Sequence, residues 1–280
     1  MYDFIRTDEA QLRSINSVQT IINGINLDRE LKGFRTLAVK GREENQASIQ
    51  KHDKKNYITS ANPILDGSIF LGSNLKDKEI DITYQVSANS YQEQTRLYEM
   101  LNYYIKKNNA KLIFTDDIDF YYIGSFKGMD RIDISLEHKG ELSFSILDPY
   151  KYSNELYTID YENTASIDKL MYYPAAIDYI SIKPKLDTDK LVFKNESNGQ
   201  RIIINHDLKT TNTVKIYFNK YLIELDGKED ISDKMEITSD YEDFIINSQD
   251  KLSANIETSG TIAFRERRLW FIYLIKTKNL

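Results

Sequence analysis

Between Ser90 and Tyr152 the spacing of apolar residues changes period. Leu97, Leu101, Tyr104 and Ile105 recur at i, i+4, i+7 and i+8, the stripe of an amphipathic helix, with Glu93, Gln94, Asn102 and Lys106 largely off it. Ser90 and Glu93 have capping-box spacing, so each side chain is expected to satisfy a free backbone N–H at the helix start. Lys106 and Lys107 fall in the last predicted turn, where cations suit the helix dipole, and Asn108-Asn109 supplies a stop. The period then shortens to two. Leu112-Ile113-Phe114 and Phe120-Tyr121-Tyr122-Ile123 flank the turn-like Thr115-Asp116-Asp117-Ile118-Asp119 and predict one hairpin. Ile132, Ile134 and Leu136 alternate with polar residues, as do Leu142, Phe144 and Ile146, and Lys139-Gly140 between them predicts a second hairpin with a two-residue loop. This order closes a first domain at Asp148-Pro149-Tyr150-Lys151-Tyr152.

Upstream, Ile21 to Leu27 reads as a strand broken by a turn at Asn23-Gly24, and Leu37 to Arg42 as another short strand. Glu43 to Asn56 is polar and aperiodic. Tyr57-Ile58 and Ile69-Phe70-Leu71 bracket the turn-rich Asn62 to Gly67, and the whole reads as an arm at about 43–71 leaving the domain body. Ile80 to Val86 alternates cleanly and feeds the helix. After Tyr152 no strong helix recurs. Strands are predicted at 179–183, 191–194, 201–205, 214–218, 221–225, 244–247, 252–257 and 262–275, most of them separated by turn signals such as Ser197-Asn198-Gly199 and Asp226-Gly227. That spacing predicts an all-β sandwich. The fold expected is mainly β: a β-rich α+β domain at 1–152 with one helix and the arm, then a sandwich at 153–280.

Length and composition narrow the function. The 280 residues are long for one core, and only four prolines and eleven glycines argue against a long disordered linker. A net charge of −6 shows no basic domain of the kind nucleic acids require. The absence of cysteine excludes disulfides, thiol catalysis and cysteine-ligated zinc. Met1 to Arg6 has no apolar core of signal-peptide length, and the apolar run Leu269 to Ile275 is too short to span a bilayer. A soluble protein, not exported by the usual route, is expected. Ile, Lys, Asn and the twenty tyrosines abound along the whole chain, which points to an AT-rich genome rather than to one binding surface.

Candidate chemistry is sparse. His52, His138 and His206 lie in three separate segments without metal-ligand spacing. Asp116, Asp117 and Asp119 resemble part of a calcium loop but lack its glycine and distal glutamate, and Asp is favoured in a hairpin turn anyway. No nucleophile elbow, P-loop or dinucleotide fingerprint occurs, so no enzyme and no cofactor are expected.

Several short motifs occur in a shared order: Asn23-Gly24-Ile25, Val39-Lys40-Gly41-Arg42, Asp66-Gly67, Leu112-Ile113-Phe114 with Tyr121-Tyr122, the Asp148 to Tyr152 close, Asp226-Gly227 and Phe264-Arg265-Glu266-Arg267. In this order, from about Ile21 to Leu269, the chain resembles the distal tail proteins of long-tailed phages of Gram-positive bacteria. The resemblance implies a ring-forming N-terminal domain that assembles as a homohexamer. Its arm would clasp the neighbouring subunit, with Tyr57, Ile58, Ile69 and Phe70 as inter-subunit residues. It implies a galectin-like or carbohydrate-binding-module-like sandwich outside the ring. The partners implied are further copies of the chain, the tail tube protein, a tail-associated lysin or tail fibre hub, and the receptor-binding proteins. The place implied is the virion tail tip, assembled in the host cytoplasm. Trp270 to Ile275 continues past the point where many relatives stop; it extends the last strand or docks on a partner.

Two functions compete on these grounds. One is a structural hub of a phage tail tip without chemistry of its own. The other is a carbohydrate-binding module for host-surface recognition, for which Tyr217, Tyr221 and Trp270 are the stacking or docking candidates by residue type. The domain before the sandwich discriminates: a simple lectin needs neither arm nor helix.

Overall fold

The structure, a computed structural model, describes residues 18–42, 55–61, 68–75, 77–130 and 135–269. The described chain forms two units, one up to Lys151 together with Leu269, the other Tyr152–Arg268.

The first unit is an antiparallel sheet with one long helix. Its strands are β1 (Thr20–Ile22), β2 (Ile25–Asn26), β3 (Phe34–Lys40), β6 (Lys78–Ser87), β7 (Ala110–Phe114), β8 (Phe120–Met129) and β9 (Glu137–Ile146), in the spatial order β2-β1-β7-β8-β9-β6-β3. Asn23 and Gly24 both take positive φ, 49° and 84°, which makes the tight turn between β1 and β2. A one-turn helix the sequence pattern did not announce, α1 (Leu27–Glu30), follows and is capped by Asn26. Its Asp28 carboxylate accepts from Thr20 N–H in β1 and from both the N–H and the hydroxyl of Thr36 in β3. Strands near opposite ends of the sheet are thereby tied together, and the Thr20 and Thr36 hydroxyls lie 2.9 Å apart. The sheet therefore curls until its ends meet.

The long helix, α2, spans Tyr91–Ile105. Ser90 accepts from Glu93 N–H as expected, but the Glu93 carboxylate reaches Asn89 N–H rather than that of Ser90. Leu97, Leu101 and Ile105 are buried and Tyr104 packs against the same core. Gln94 is a correction: it is buried, and its amide donates to the Ser135 carbonyl. The helix stops at Ile105, so Lys106 is its C-cap rather than part of its last turn, and Asn109 turns the chain at φ 52°.

The first hairpin is present, with Leu112 opposite Tyr122 and a 3-10 turn at Thr115–Asp117. The second is not. Lys139-Gly140 lies inside β9, which pairs with β6 from Lys78↔Ile146 to Ser87↔Glu137. Gly140 is there for space, since a Cβ at that position would stand 2.6 Å from the Tyr84 hydroxyl. Ile132 and Ile134 lie outside the described residues.

Among the described residues β4 (Lys55–Ala61) and β5 (Ser68–Leu75) pair with each other alone, forming a two-stranded ribbon separate from both large sheets. Tyr57 and Ile58 stand opposite Ser73 and Gly72, and Phe70 and Ile69 stand opposite Thr59 and Ser60. The Asn62 to Gly67 turn and residues 43–54 lie outside the described residues.

The second unit holds one antiparallel sheet ordered β15-β14-β19-β12-β11-β20-β13-β16-β17-β18. The strands are β11 (Tyr157–Glu162), β12 (Thr164–Ser166), β13 (Ala176–Pro184), β14 (Thr188–Asn195), β15 (Arg201–Leu208), β16 (Val214–Tyr217), β17 (Leu222–Leu225), β18 (Glu229–Asp230), β19 (Lys251–Ala254) and β20 (Thr258–Arg265). Ile204 of β15 and Ile223 of β17, from opposite ends of that order, share one core with Phe193 and Phe264. Met235 bridges back to Ile204. The sheet thus folds over itself as a sandwich. β11 and β12 were not expected, while Phe244 to Asn247 is not a strand: it is irregular chain that inserts Phe244 and Ile246 into the core. Phe264-Arg265-Glu266-Arg267 knits the unit's two ends. Arg265 donates to the carbonyls of Ser153 and Asn154, and Ser153 N–H donates to the Glu266 carbonyl.

Candidate functional site

One cluster of ionised side chains in the first unit is built from segments far apart in sequence. Arg42, just after β3, is 2% exposed and forks onto Asp116, with Nη1 and Nη2 at 2.8 and 2.9 Å from its two oxygens. Lys151 is buried and sits 2.5 Å from the Asp117 carboxylate. Lys78, the first residue of β6, brings a third cation. Each cation lies over an aromatic ring of the β7–β8 hairpin: Arg42 4.3 Å from Phe114, Lys78 4.4 Å from Tyr122 and Lys151 4.6 Å from Phe120. The hairpin can present two carboxylates and three rings together because its 3-10 turn places Asp116 and Asp117 beside the strand ends carrying the aromatics.

Electrostatics in the cluster are uneven. Burial raises the Asp117 carboxyl above its ordinary value against the pull of Lys151. Burial and then the Lys151 charge push the Lys78 amine down from 10.5 to about 7, opposed by Asp148. Among the described residues the Lys78 amine and the Tyr122 hydroxyl are buried without a hydrogen-bond partner. Asp116 is engaged by Arg42 and Asp117 by Lys151. No group of His, Asp or Glu suited to a metal occurs among the described residues.

The cluster's place in the chain gives it meaning. Arg42 is the last described residue before the segment that carries the ribbon, and Lys78 opens the strand that follows it. The described chain on either side of the ribbon-bearing segment, Arg42 before it and Lys78 after it, therefore meets in one buried ionic and aromatic cluster. The Val39 to Arg42 and Asp148 to Tyr152 motifs, read separately in the sequence, converge there. Asp116 and Asp117 were expected only to make a turn. The missed signal was a pair of adjacent acids in a hairpin turn, in a chain with basic residues at the two motif ends.

The second unit carries a groove of about 450 Å³ beside the β16–β17 turn. Tyr221 lines it and is 70% exposed at φ 52°; Ile237 lines it and is fully exposed. The wall behind is rigid: the Tyr241 ring stacks on Phe218 at 5.2 Å and its hydroxyl donates to the Tyr217 carbonyl. Of the three aromatic candidates, Tyr221 lines the groove and Tyr217 supports its wall through the backbone, with its ring 6.1 Å from Tyr179. Trp270 lies outside the described residues. Glu236, Asp240, Glu242 and Asp243 rim the groove, and among the described residues no Lys or Arg lines it.

Comparison with known families meets both units. The model of the phage tail protein RIFT-related domain matches residues 30–147, and that of the C-terminal domain of the siphovirus-type tail component matches 175–267. Fold and matches together define a structural component of a phage tail. The chain belongs to the siphovirus distal tail protein family. Among solved structures it is similar to the Dit protein (gp 19.1) of phage SPP1, presented as a paradigm of the hub adsorption apparatus in phages infecting Gram-positive bacteria. The TM-score there is 0.68 at 16% identity, covering 90% of this chain and 99% of that one. A chain of the phage P2 baseplate in its activated conformation with Ca matches with a TM-score of 0.52 at 9% identity, covering 91% and 99%. At these identities the likeness is one of fold. No match was found among curated proteins.

Proposed function

We propose that this chain is the hub of a phage tail tip: a homohexameric ring that joins the tail tube to the host-adhesion device and carries no catalytic activity. The observation that carries the reading is the β4–β5 ribbon, which among the described residues pairs with neither large sheet. An extended ribbon without a partner loses conformational entropy for little gained contact. A neighbouring copy supplies the contact, and a head-to-tail contact closes into a ring when its rotation allows. In this reading Tyr57, Ile58, Ile69 and Phe70 belong to the clasp, 1–152 is the ring domain and 153–280 the outer domain. Tail tube, lysin or fibre hub, and receptor-binding proteins attach to the ring during assembly in the host cytoplasm.

Mass photometry of the purified chain tests this. Six times the 32.7 kDa of one chain is expected, with rings in negative-stain images. Deleting residues 46–70 should leave folded monomers. Full-size rings from that variant would refute the clasp, and a wild-type chain that stays monomeric or dimeric under all conditions would refute the hub. The carbohydrate-binding reading rests on Tyr221, an exposed aromatic on the sandwich.

A further inference from the structure

The groove beside Tyr221 has a chemistry that selects its occupant. Resting on the hub reading, we propose that it is the docking site for a basic segment of another tail protein, in which an aliphatic or aromatic anchor is flanked by lysine or arginine.

The anchor follows from the walls. Tyr221, Ile223, Met235, Ile237 and Tyr241 line a groove of about 450 Å³, a volume suited to one or two side chains. Ile237 is fully exposed, and Tyr221 is 70% exposed, so apolar surface meets water at the groove mouth. Tyr221 also holds a backbone conformation that glycine or asparagine would adopt more easily, at the end of the turn between Tyr217 and Leu222. The fold would be served better by glycine at this place, so the ring is what the position retains.

The flanking charge follows from the rim. Among the described residues four carboxylates line the groove without a lining Lys or Arg. Glu236 is neutralised by Lys190 outside the groove, and Asp240 accepts from Arg201 N–H. Glu242 and Asp243, both exposed, remain to pair with cations from a partner. A neutral glycan fits poorly. Its hydroxyls need donors as well as acceptors, whereas the Ser232 and Ser239 hydroxyls are already engaged with Asp230 and with the backbone of Ile223 and Ile203.

The test uses the full chain and fluorescein-labelled peptides read by anisotropy. One carries a Leu-Trp anchor between two lysine pairs, a second replaces the lysines by glutamates, and a third keeps the lysines but replaces the anchor by Gly-Ser. The first should bind at least about tenfold more tightly than either other, and should weaken with salt. Tyr221→Gly should abolish that preference while leaving the melting temperature unchanged or higher. The double substitution Glu242→Lys with Asp243→Lys should remove the dependence on lysine. Equal binding of all three peptides would overturn the proposal. So would a Tyr221→Gly variant that melts lower, or Tyr221-dependent binding of chitooligosaccharide in place of the basic peptide. Ring formation is measured on the same samples. Wild-type rings without peptide preference sink the docking site alone, whereas absence of rings sinks the hub reading whatever the peptides do.

Discussion

Lys78 offers the sharpest test of the buried cluster. Its amine is buried at the start of β6 and makes no hydrogen bond among the described residues; the Tyr122 face at 4.4 Å and the Asp148 charge favour its charged form. Burial and the Lys151 charge lower it from 10.5 to about 7. At about 1.4 kcal/mol per pH unit, charging it in the folded chain costs about 5 kcal/mol relative to the unfolded chain. The direction follows from proton counts. Below about pH 7 both states are protonated and the whole cost is present. Between about 7 and 10.5 the unfolded chain holds a proton that the folded chain has lost, so stability rises with pH. From pH 7 to pH 9 the gain is about 2 kcal/mol. Lys78→Met keeps the aliphatic contact with Tyr122 and removes the charge. It should stabilise the first unit at pH 7 by about 1–4 kcal/mol and erase its rise with pH. Calorimetry at pH 7, 8 and 9 reads both effects, with the first unit's transition identified by its response to Arg42→Ala. A Lys78→Met chain that melts at or below wild type, with the same pH dependence, would refute this account of the cluster.

Three further outcomes follow from the packing. Arg42→Ala leaves Asp116 beside a vacated, 2%-exposed site, and should cost about 3 kcal/mol or more in the first-unit transition, read by calorimetry. Leu101→Asp places an unpaired carboxylate at a fully buried point of α2 and should unfold the first unit at room temperature; an unchanged circular dichroism melt would contradict this. Gly260→Ala puts a Cβ 1.9 Å from the Ser181 carbonyl oxygen, backbone that cannot step aside, and should lower the second-unit transition while sparing the first.

What the sequence determined by itself is local and periodic. The i, i+4 stripe of α2, its Ser90 cap, the Asn23-Gly24 turn and the alternation of Ile80 to Val86 each depend on residues close along the chain, and all are present in the fold. The order of short motifs also carried the family, because order survives where identity does not. Tertiary structure decided the rest. Lys139-Gly140 has the chemistry of a loop and serves instead as the narrow point of a ten-residue strand, because the Tyr84 hydroxyl on the neighbouring strand occupies the space of a Cβ. Gln94 looks solvated until the Ser135 carbonyl meets it. Arg42, Lys78, Asp116, Asp117 and Lys151 are spread between positions 42 and 151 and share no period, so no local signal joins them. They meet because the β7–β8 hairpin brings two carboxylates and three aromatic faces to the place where β3 ends and β6 begins. Ion pairs of this kind are chosen by distance in space, and distance in space exists only once the sheet has curled.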